Sequence, residues 1–380
     1  MMPSRMAAFA TSTATVAAAV LLNAGPVMAV RPAHSMVDQR TTKYLRTAAR
    51  WRAAFLSSGS ETKALSTVAA ISPKDAWVAG AARQGSHESP LVLRWNGSRW
   101  RSVRVPGIAG AEFLDVAASS GSNVWLSGPN LGTGKSVVRR WDGRRWHSIP
   151  PPPESAVRVV LGPADAWAEG TILCVHSRKH CRTALEHWNG RTWSRFTIPT
   201  FVDQISGSAS GNVWAVGEFG GDPSPPATPG RPVAFRWNGK SWRAVTSMPH
   251  PLSFLPARIA VASPRNVWIT ARKATSSSPV YALHWNGTRW RRITAPARLN
   301  TSGPLQPEGP GVWLGPDAHW TGKRWINTTP GHFFAGGQLV NLFGMALIPG
   351  TQSIWAVGQA RRNNTALTSH ALIAIYGTLP

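Results

Sequence analysis

Seven times along 380 residues, a short turn leads into a tryptophan set among small and β-branched residues. The segments are SPKDAWVAG (72–80), GSNVWLSG (121–128), GPADAWAEG (162–170), SGNVWAVG (210–217), SPRNVWIT (263–270), GPGVWLG (309–315) and GTQSIWAVG (350–358). The marker tryptophans Trp77, Trp125, Trp167, Trp214, Trp268, Trp313 and Trp355 are 48, 42, 47, 54, 45 and 42 residues apart. A second motif alternates with the first: LRWNGSRW (93–100), RRWDGRRW (139–146), EHWNGRTW (186–193), FRWNGKSW (235–242), LHWNGTRW (283–290) and AHWTGKRW (318–325). Each copy is one supersecondary unit that cannot cover its own apolar face, so the copies must pack on one another.

The second motif reads as a hairpin. Asn-Gly and Asp-Gly favour a type I′ turn, whose two central residues need positive φ. The sequence alternates on either side of it, as strands with two distinct faces do. Strand A is an apolar run such as FLDVAAS (113–119), B carries the marker tryptophan, C ends in Trp-Asn-Gly and D begins at the second tryptophan. Four short strands in a unit of about 40–50 residues are the signature of a β-propeller. The expected fold is therefore all-β, a seven-bladed β-propeller with four-stranded antiparallel blades. The 31 prolines and 35 glycines suit turns rather than long helices.

Only six C–D hairpins occur. The last unit, HALIAIYG (370–377), aligns with TALEHWNG (183–190), placing Ile375 at the tryptophan position and Tyr376 at the asparagine, and the sequence stops before a strand D. Trp51-Arg52-Ala53-Ala54-Phe55 resembles the strand D that starts at Trp100. The N-terminal strand is expected to complete the C-terminal blade, which would remove two open sheet edges.

Residues 1–29 read as a secretory signal: Arg5, an Ala/Val/Leu-rich run from Ala7 to Leu22, and small residues at Val27 and Ala29 before the cut. Residues 30–50 are expected to be a flexible leader and 51–380 the propeller. No segment has an apolar run long enough for a membrane span. The expectation is a secreted protein, extracellular or in the cell envelope, and monomeric. Outside the cytosol Cys174 and Cys181 can pair. Their C-x6-C spacing is neither a zinc nor a thioredoxin pattern, although His176 and His180 lie between them.

The full chain carries a formal charge of +25, or +24 without Arg5. Such a field attracts polyanions; arginine enrichment by codon bias is the bland alternative. Part of the charge follows the repeat. Around each C–D turn lie Arg99 and Arg101; Arg144 and Arg145; Arg191 and Arg195; Lys240 and Arg243; Arg289, Arg291 and Arg292; Lys323 and Arg324. Up-and-down strand order puts A–B and C–D turns at one end of a propeller and B–C and D–A loops at the other. These residues should form a basic crown that contacts anions or, on the bland reading, protects edges and keeps the protein soluble. The residue before each strand C tryptophan is also basic or histidine: Arg94, Arg140, His187, Arg236, His284 and His319. Stacking on a ring of the next blade is the expected role. The tryptophans themselves are expected to pack between blades.

The repeats resemble those of exported bacterial propeller proteins of the SPxDVWAVG / HWNGxxW type, over about residues 51–380. That resemblance implies an extracellular or envelope location and no particular activity. In architecture the chain is more distantly similar to kelch, galactose-oxidase-core, WD40 and sialidase propellers. The sialidase Asp-box is not reproduced, because Trp95 and Trp141 stand at its aspartate position.

No phosphate loop, zinc motif or hydrolase serine elbow is present, so no cofactor is expected. The reading is a non-catalytic binding protein for an anionic polymer, a glycan or another exported protein. Its alternative is a carbohydrate-active enzyme with a site among the B–C and D–A loops. Such chemistry needs two carboxylates across a bond, and Glu112, Glu169 and Glu218 are the candidates near that end. The acids Asp75 and Asp165 are assigned a local role in A–B turns.

Overall fold

The computed structural model describes residues 50–380 apart from 86, 107–110, 112–114, 131–132, 134, 153–155, 175–180, 220–230, 250–253, 274–280, 296–302, 331–338, 362–367 and 380. The signal, nearly all of the leader, Glu112, His176 and His180 lie outside those residues. Strand β1 (Trp51–Leu56) comes first. Blade 1 is β2 (Thr62–Ser72), β3 (Asp75–Gln84), β4 (His87–Trp95) and β5 (Trp100–Ser102). Blade 2 is β6 (Asp115–Ser120), β7 (Asn123–Asn130), β8 (Lys135–Trp141) and β9 (Trp146–Ile149). Blade 3 is β10 (Ala156–Gly162), β11 (Asp165–Cys174), β12 (Cys181–Trp188) and β13 (Trp193–Ile198). Blade 4 is β14 (Phe201–Ala209), β15 (Asn212–Phe219), β16 (Arg231–Trp237) and β17 (Trp242–Ala244). Blade 5 is β18 (Phe254–Ser263), β19 (Asn266–Lys273), β20 (Tyr281–Trp285) and β21 (Trp290–Thr294). Blade 6 is β22 (Leu305–Glu308), β23 (Gly311–Leu314), β24 (Ala318–Trp320) and β25 (Trp325–Asn327). Blade 7 is β26 (Leu339–Leu347), β27 (Ile354–Arg361) and β28 (His370–Tyr376), completed by β1 in the order β1-β28-β27-β26.

The first strand of every blade touches the first strand of the next, from β2 through β6, β10, β14, β18, β22 and β26 back to β2. These seven strands therefore line the central channel, and the fourth strands lie at the perimeter. The fold is the expected seven-bladed propeller.

Seven apolar clusters fill the seven gaps between blades. Each joins a marker tryptophan to the paired aromatics of the following C–D hairpin. Trp77 meets Trp141 and Trp146, Trp125 meets Trp188 and Trp193, and Trp167 meets Trp237 and Trp242. Trp214, Trp268 and Trp355 repeat the arrangement. The rings meet mostly edge to face, as at Trp77–Trp146, 5.8 Å and 89°. Such pairs add about 0.5–1.5 kcal/mol beyond area burial. All seven markers are almost wholly buried, so they are unavailable to stack on a ligand.

At the closure, Trp313 meets Trp51 and Tyr376. Trp51 pairs with Tyr376, and Arg52 with Ile375. This corrects the alignment of the last unit by one residue. Tyr376 lies opposite Ile354 as Trp188 lies opposite Ala166, so Tyr376 takes the tryptophan position and Ile375 the position of His187.

Two local expectations also change. The hairpin turn encloses Gly97 and Ser98, since the Asn96 N–H bonds to the Arg99 carbonyl. Gly97 has φ of 91°, and the Asn96 carboxamide oxygen accepts the Ser98 and Arg99 N–H groups. This is an Asx turn followed by glycine, not a type I′ Asn-Gly turn. Asp142 and Thr321 act in the same way, which explains why Asn, Asp and Thr share the position.

The residues before the strand C tryptophans stack on their own blade's marker, not on the next blade's. Pairing puts Arg94 opposite Trp77 and His187 opposite Trp167. Residues opposite each other across a pair share a face. The Arg94 guanidinium lies 4.9 Å from the Trp77 ring centre. His187, His284 and His319 stack at 4.4, 4.1 and 4.3 Å.

Asp75 and Asp165 also do more than shape turns. Asp75 accepts two hydrogen bonds from Arg94, and Asp165 pairs with His187 at 2.9 Å. In three blades an asparagine two residues before the marker accepts its indole N–H instead: Asn123, Asn212 and Asn266. A cation or imidazole on one face and a hairpin of aromatics on the other hold Trp77, Trp167, Trp214, Trp268 and Trp313 in place, while Trp355 has Ile375 opposite it.

Candidate functional site: a basic rim and a charged channel

The crown residues all lie where expected, in the C–D turns or on the fourth strands, and every one is exposed. Arg195 pairs with Glu186 at 2.8 Å, Arg145 approaches Asp142 at 4.0 Å, and Arg292 covers the Tyr281 ring. The others have no acidic partner among the described residues. Their fourth-strand positions spread them around the perimeter of one end, away from the channel. The asparagine-capped turns fix that spacing, because each cation follows the same turn onto the same outer strand.

A second charged group lies on the channel-lining strands, toward the end that carries the B–C and D–A loops. Four consecutive inner strands supply Asp115 (β6), Arg158 (β10), Asp203 (β14) and Arg258 (β18), and β11 adds Glu169. The Arg158 guanidinium donates to the Asp115 carboxylate and, at 3.4 Å, to Glu169. Its side chain keeps 36% exposure, against 13% for Asp115 and 16% for Glu169, so the arginine borders open space between sunken acids.

Backbone irregularity puts these side chains there. Arg158 is the unpaired residue of a bulge between Val157 and Val159. Asp203 is the unpaired residue between Val202 and Gln204. Arg258 borders a bulge between Pro256 and itself. Bulges re-aim side chains, and here they turn charge toward the axis. At the Asp203 bulge, and at the bulge between Leu65 and Thr67 in blade 1, the partner is the glycine of the WAVG or WVAG motif. A Cβ on Gly217 would lie 1.8 Å from the Phe201 carbonyl oxygen, and one on Gly80 would lie 2.1 Å from that of Ala64.

Burial pushes the Glu169 carboxyl up to about 7, with the Asp115 charge adding to the rise and Arg158 and Arg258 opposing it. The Asp115 charge raises Arg158. Burial, and then repulsion from Arg158, lowers Arg258. Of the candidate glutamates among the described residues, Glu169 joins this group. Glu218 lies in β15, half-buried and outside the Arg158 ion pairs. Asp115, Arg158, Asp203 and Arg258 were not singled out from the sequence. One signal for the site was present in it: the residue two after the marker tryptophan is small or apolar in most repeats, and only in WAEG is it an acid.

The register sets Cys174 directly opposite Cys181 on β11 and β12. Their side chains lie outside the described residues, so the disulfide remains an expectation. Among the described residues, no helix is long and apolar enough to cross a membrane.

No protein-family model and no curated protein matches this chain. Solved structures do resemble it. YCF48 bound to a D1 peptide superposes with a TM-score of 0.55 at 13% identity, covering 86% of this chain and 97% of that one. The β-propeller domain of the trilobed protease from Pyrococcus furiosus, described as having an open velcro topology, gives 0.55 at 10% identity, over 83% and 95%. A prolyl endopeptidase gives 0.50 at 11% identity, over 83% of this chain and 50% of that one. At these identities the shared feature is the propeller fold. One such fold serves peptide binding in one neighbour and forms part of a peptidase in another, so function must be argued from the site.

Proposed function

We propose that this chain is an exported, non-catalytic binding propeller that holds an anionic cell-envelope polymer across its basic rim. The observation carrying this reading is the repetition of exposed cations, most of them without an acidic partner, at one position of six blades. Ion pairs at a surface are individually weak, but a ring of fixed charges acts on a polymer through many contacts at once. The marker tryptophans are buried and offer the rim no ring to stack on, which fits recognition by charge spacing. Export is supported by the leader composition and by the resemblance to exported repeats.

The test is binding of polyphosphate and polygalacturonate at two ionic strengths. The Debye length falls from about 10 Å at 0.1 M to about 3 Å at 1 M, so affinity should collapse over that range. It should also weaken when Arg99, Arg144, Arg191 and Arg289 are changed together to Glu. Affinity indifferent to both changes would remove the reading.

A glycoside-cleaving role draws on one specific feature: Glu169, a carboxyl with a raised pKa, shares Arg158 with a second carboxylate, Asp115. Turnover of a glycoside panel that is lost in both Glu169→Gln and Asp115→Asn would support it. The absence of turnover across the panel would remove it.

A further inference from the structure

We propose that Arg258, backed by Arg158, binds the carboxylate of a ligand entering the channel from the end that carries the B–C loops. The two arginines differ in their surroundings. Arg158 is already matched by Asp115 and Glu169. Arg258 is half-buried on β18 and has no hydrogen bond or ion pair among the described residues. A guanidinium shielded from water without a contacting anion is costly, and a planar carboxylate fits its donor fork in a bidentate way. Solvent still reaches Arg158 beside it, so a ligand can enter. Asp203 on the intervening β14 lies within electrostatic reach of Arg258. It limits the site to a small anion rather than a polyanion. This separates the channel from the rim, where charge of one sign is spread over the perimeter.

The neighbouring acids give the site a pH response. Facing it are Asp115 from β6, Arg158 from β10, Glu169 from β11 and Asp203 from β14. Among these groups Glu169 takes up a proton near neutrality. With Glu169 neutral, an incoming carboxylate meets one negative charge fewer, so binding should strengthen as pH falls through about 7. A carboxylate that raises the Glu169 pKa by a further unit would bind about tenfold more tightly on the acid side.

The full-length chain without its leader is titrated at pH 6 and pH 8.5 with glucuronate and with N-acetylglycine. Methyl glucoside and N-acetylglycinamide are the neutral controls. At least one carboxylate should bind in preference to its control, and the preferred one tells whether sugar or peptide is the source. Arg258→Gln should weaken binding about tenfold or more, and Glu169→Gln should make it independent of pH. Changing the rim arginines should leave it unchanged. If Arg258→Gln fails to fold by tryptophan fluorescence, Arg258→Lys is read instead, because it keeps the charge and loses the fork. Carboxylates that bind no better than their neutral controls would overturn the assignment, as would wild-type binding by the folded Arg258 variant.

Discussion

Replacing Trp51 with Ala tests the closure of the ring. The indole is 5% exposed and lies against Trp313 and Tyr376, with ring centres 6.4 and 5.5 Å away. Its N–H donates to the Thr328 carbonyl at 2.7 Å and to that of Pro316 at 3.2 Å. One side chain thus ties the first strand to the blade it completes and to the blade before it. Removing a buried indole costs about 3–5 kcal/mol, and a lost hydrogen bond adds about 1 kcal/mol. In a domain of this size, each kcal/mol lowers the melting temperature by roughly 2 °C. The drop should therefore be roughly 8–12 °C, followed by tryptophan fluorescence or circular dichroism. Trp51→Phe keeps a ring and loses the donor, so it should fall between the wild type and Trp51→Ala. Arg52→Ala, on the exposed face and donating to the Gly377 carbonyl, should change stability by less than about 0.5 kcal/mol. A Trp51→Ala protein that melts with the wild type would refute the account. Strand β1 would then be an ornament on a ring held shut elsewhere.

Gly217→Ala should destabilise the fold by several kcal/mol, because the added Cβ meets backbone at 1.8 Å and only a shift of β14 relieves it. Gly85→Ala, where nothing lies within 4 Å but φ is +60°, should cost only about 1 kcal/mol, so chemical denaturation of the pair separates clash from backbone preference. Glu169→Gln tests the raised carboxyl. Its folded pKa is about 7 against an ordinary 4.5, so the native state holds the proton longer than the unfolded chain, and stability is lost as pH rises from about 4.5 to 7. The variant should match the wild type at pH 4 and gain up to about 3 kcal/mol over it at pH 8; a difference independent of pH would contradict this. Oxidised protein should weigh two hydrogens less than reduced protein through Cys174 and Cys181, and Cys174→Ser should lower stability by roughly 2–2.5 kcal/mol; identical masses would exclude the bond.

The marker tryptophans, the hairpin pairs and the missing fourth strand of the last unit could be read from spacing alone. Each obeys a local rule, period two along a strand and a turn of fixed length, and the repeat multiplies it. The errors arose where partners were assigned across space. Arg94 was expected on the next blade's ring, yet antiparallel pairing already placed it opposite Trp77 within its own sheet. Ile375 was set one position off because the last unit lacks the Trp-Asn-Gly turn that fixes the register elsewhere. The crown was legible because turn and cation travel together in sequence.

The channel site was not legible, and the reason is physical. Its members sit on four different blades, with Asp115 and Arg258 more than a hundred residues apart, so no spacing within a repeat can express them. Two of them, Arg158 and Asp203, are unpaired bulge residues. A bulge breaks the alternation from which a face would be assigned, and strict period two would have misplaced them. At the Asp203 bulge the glycine of the WAVG motif is its trace in the sequence, since Gly217 makes room where the inner strand crowds the second. A repeat protein can thus keep its packing positions constant and vary the residues at its bulges. On that logic, a charge at a bulge of an inner strand, next to a conforming tryptophan and glycine, marks where such a propeller has departed from packing toward binding.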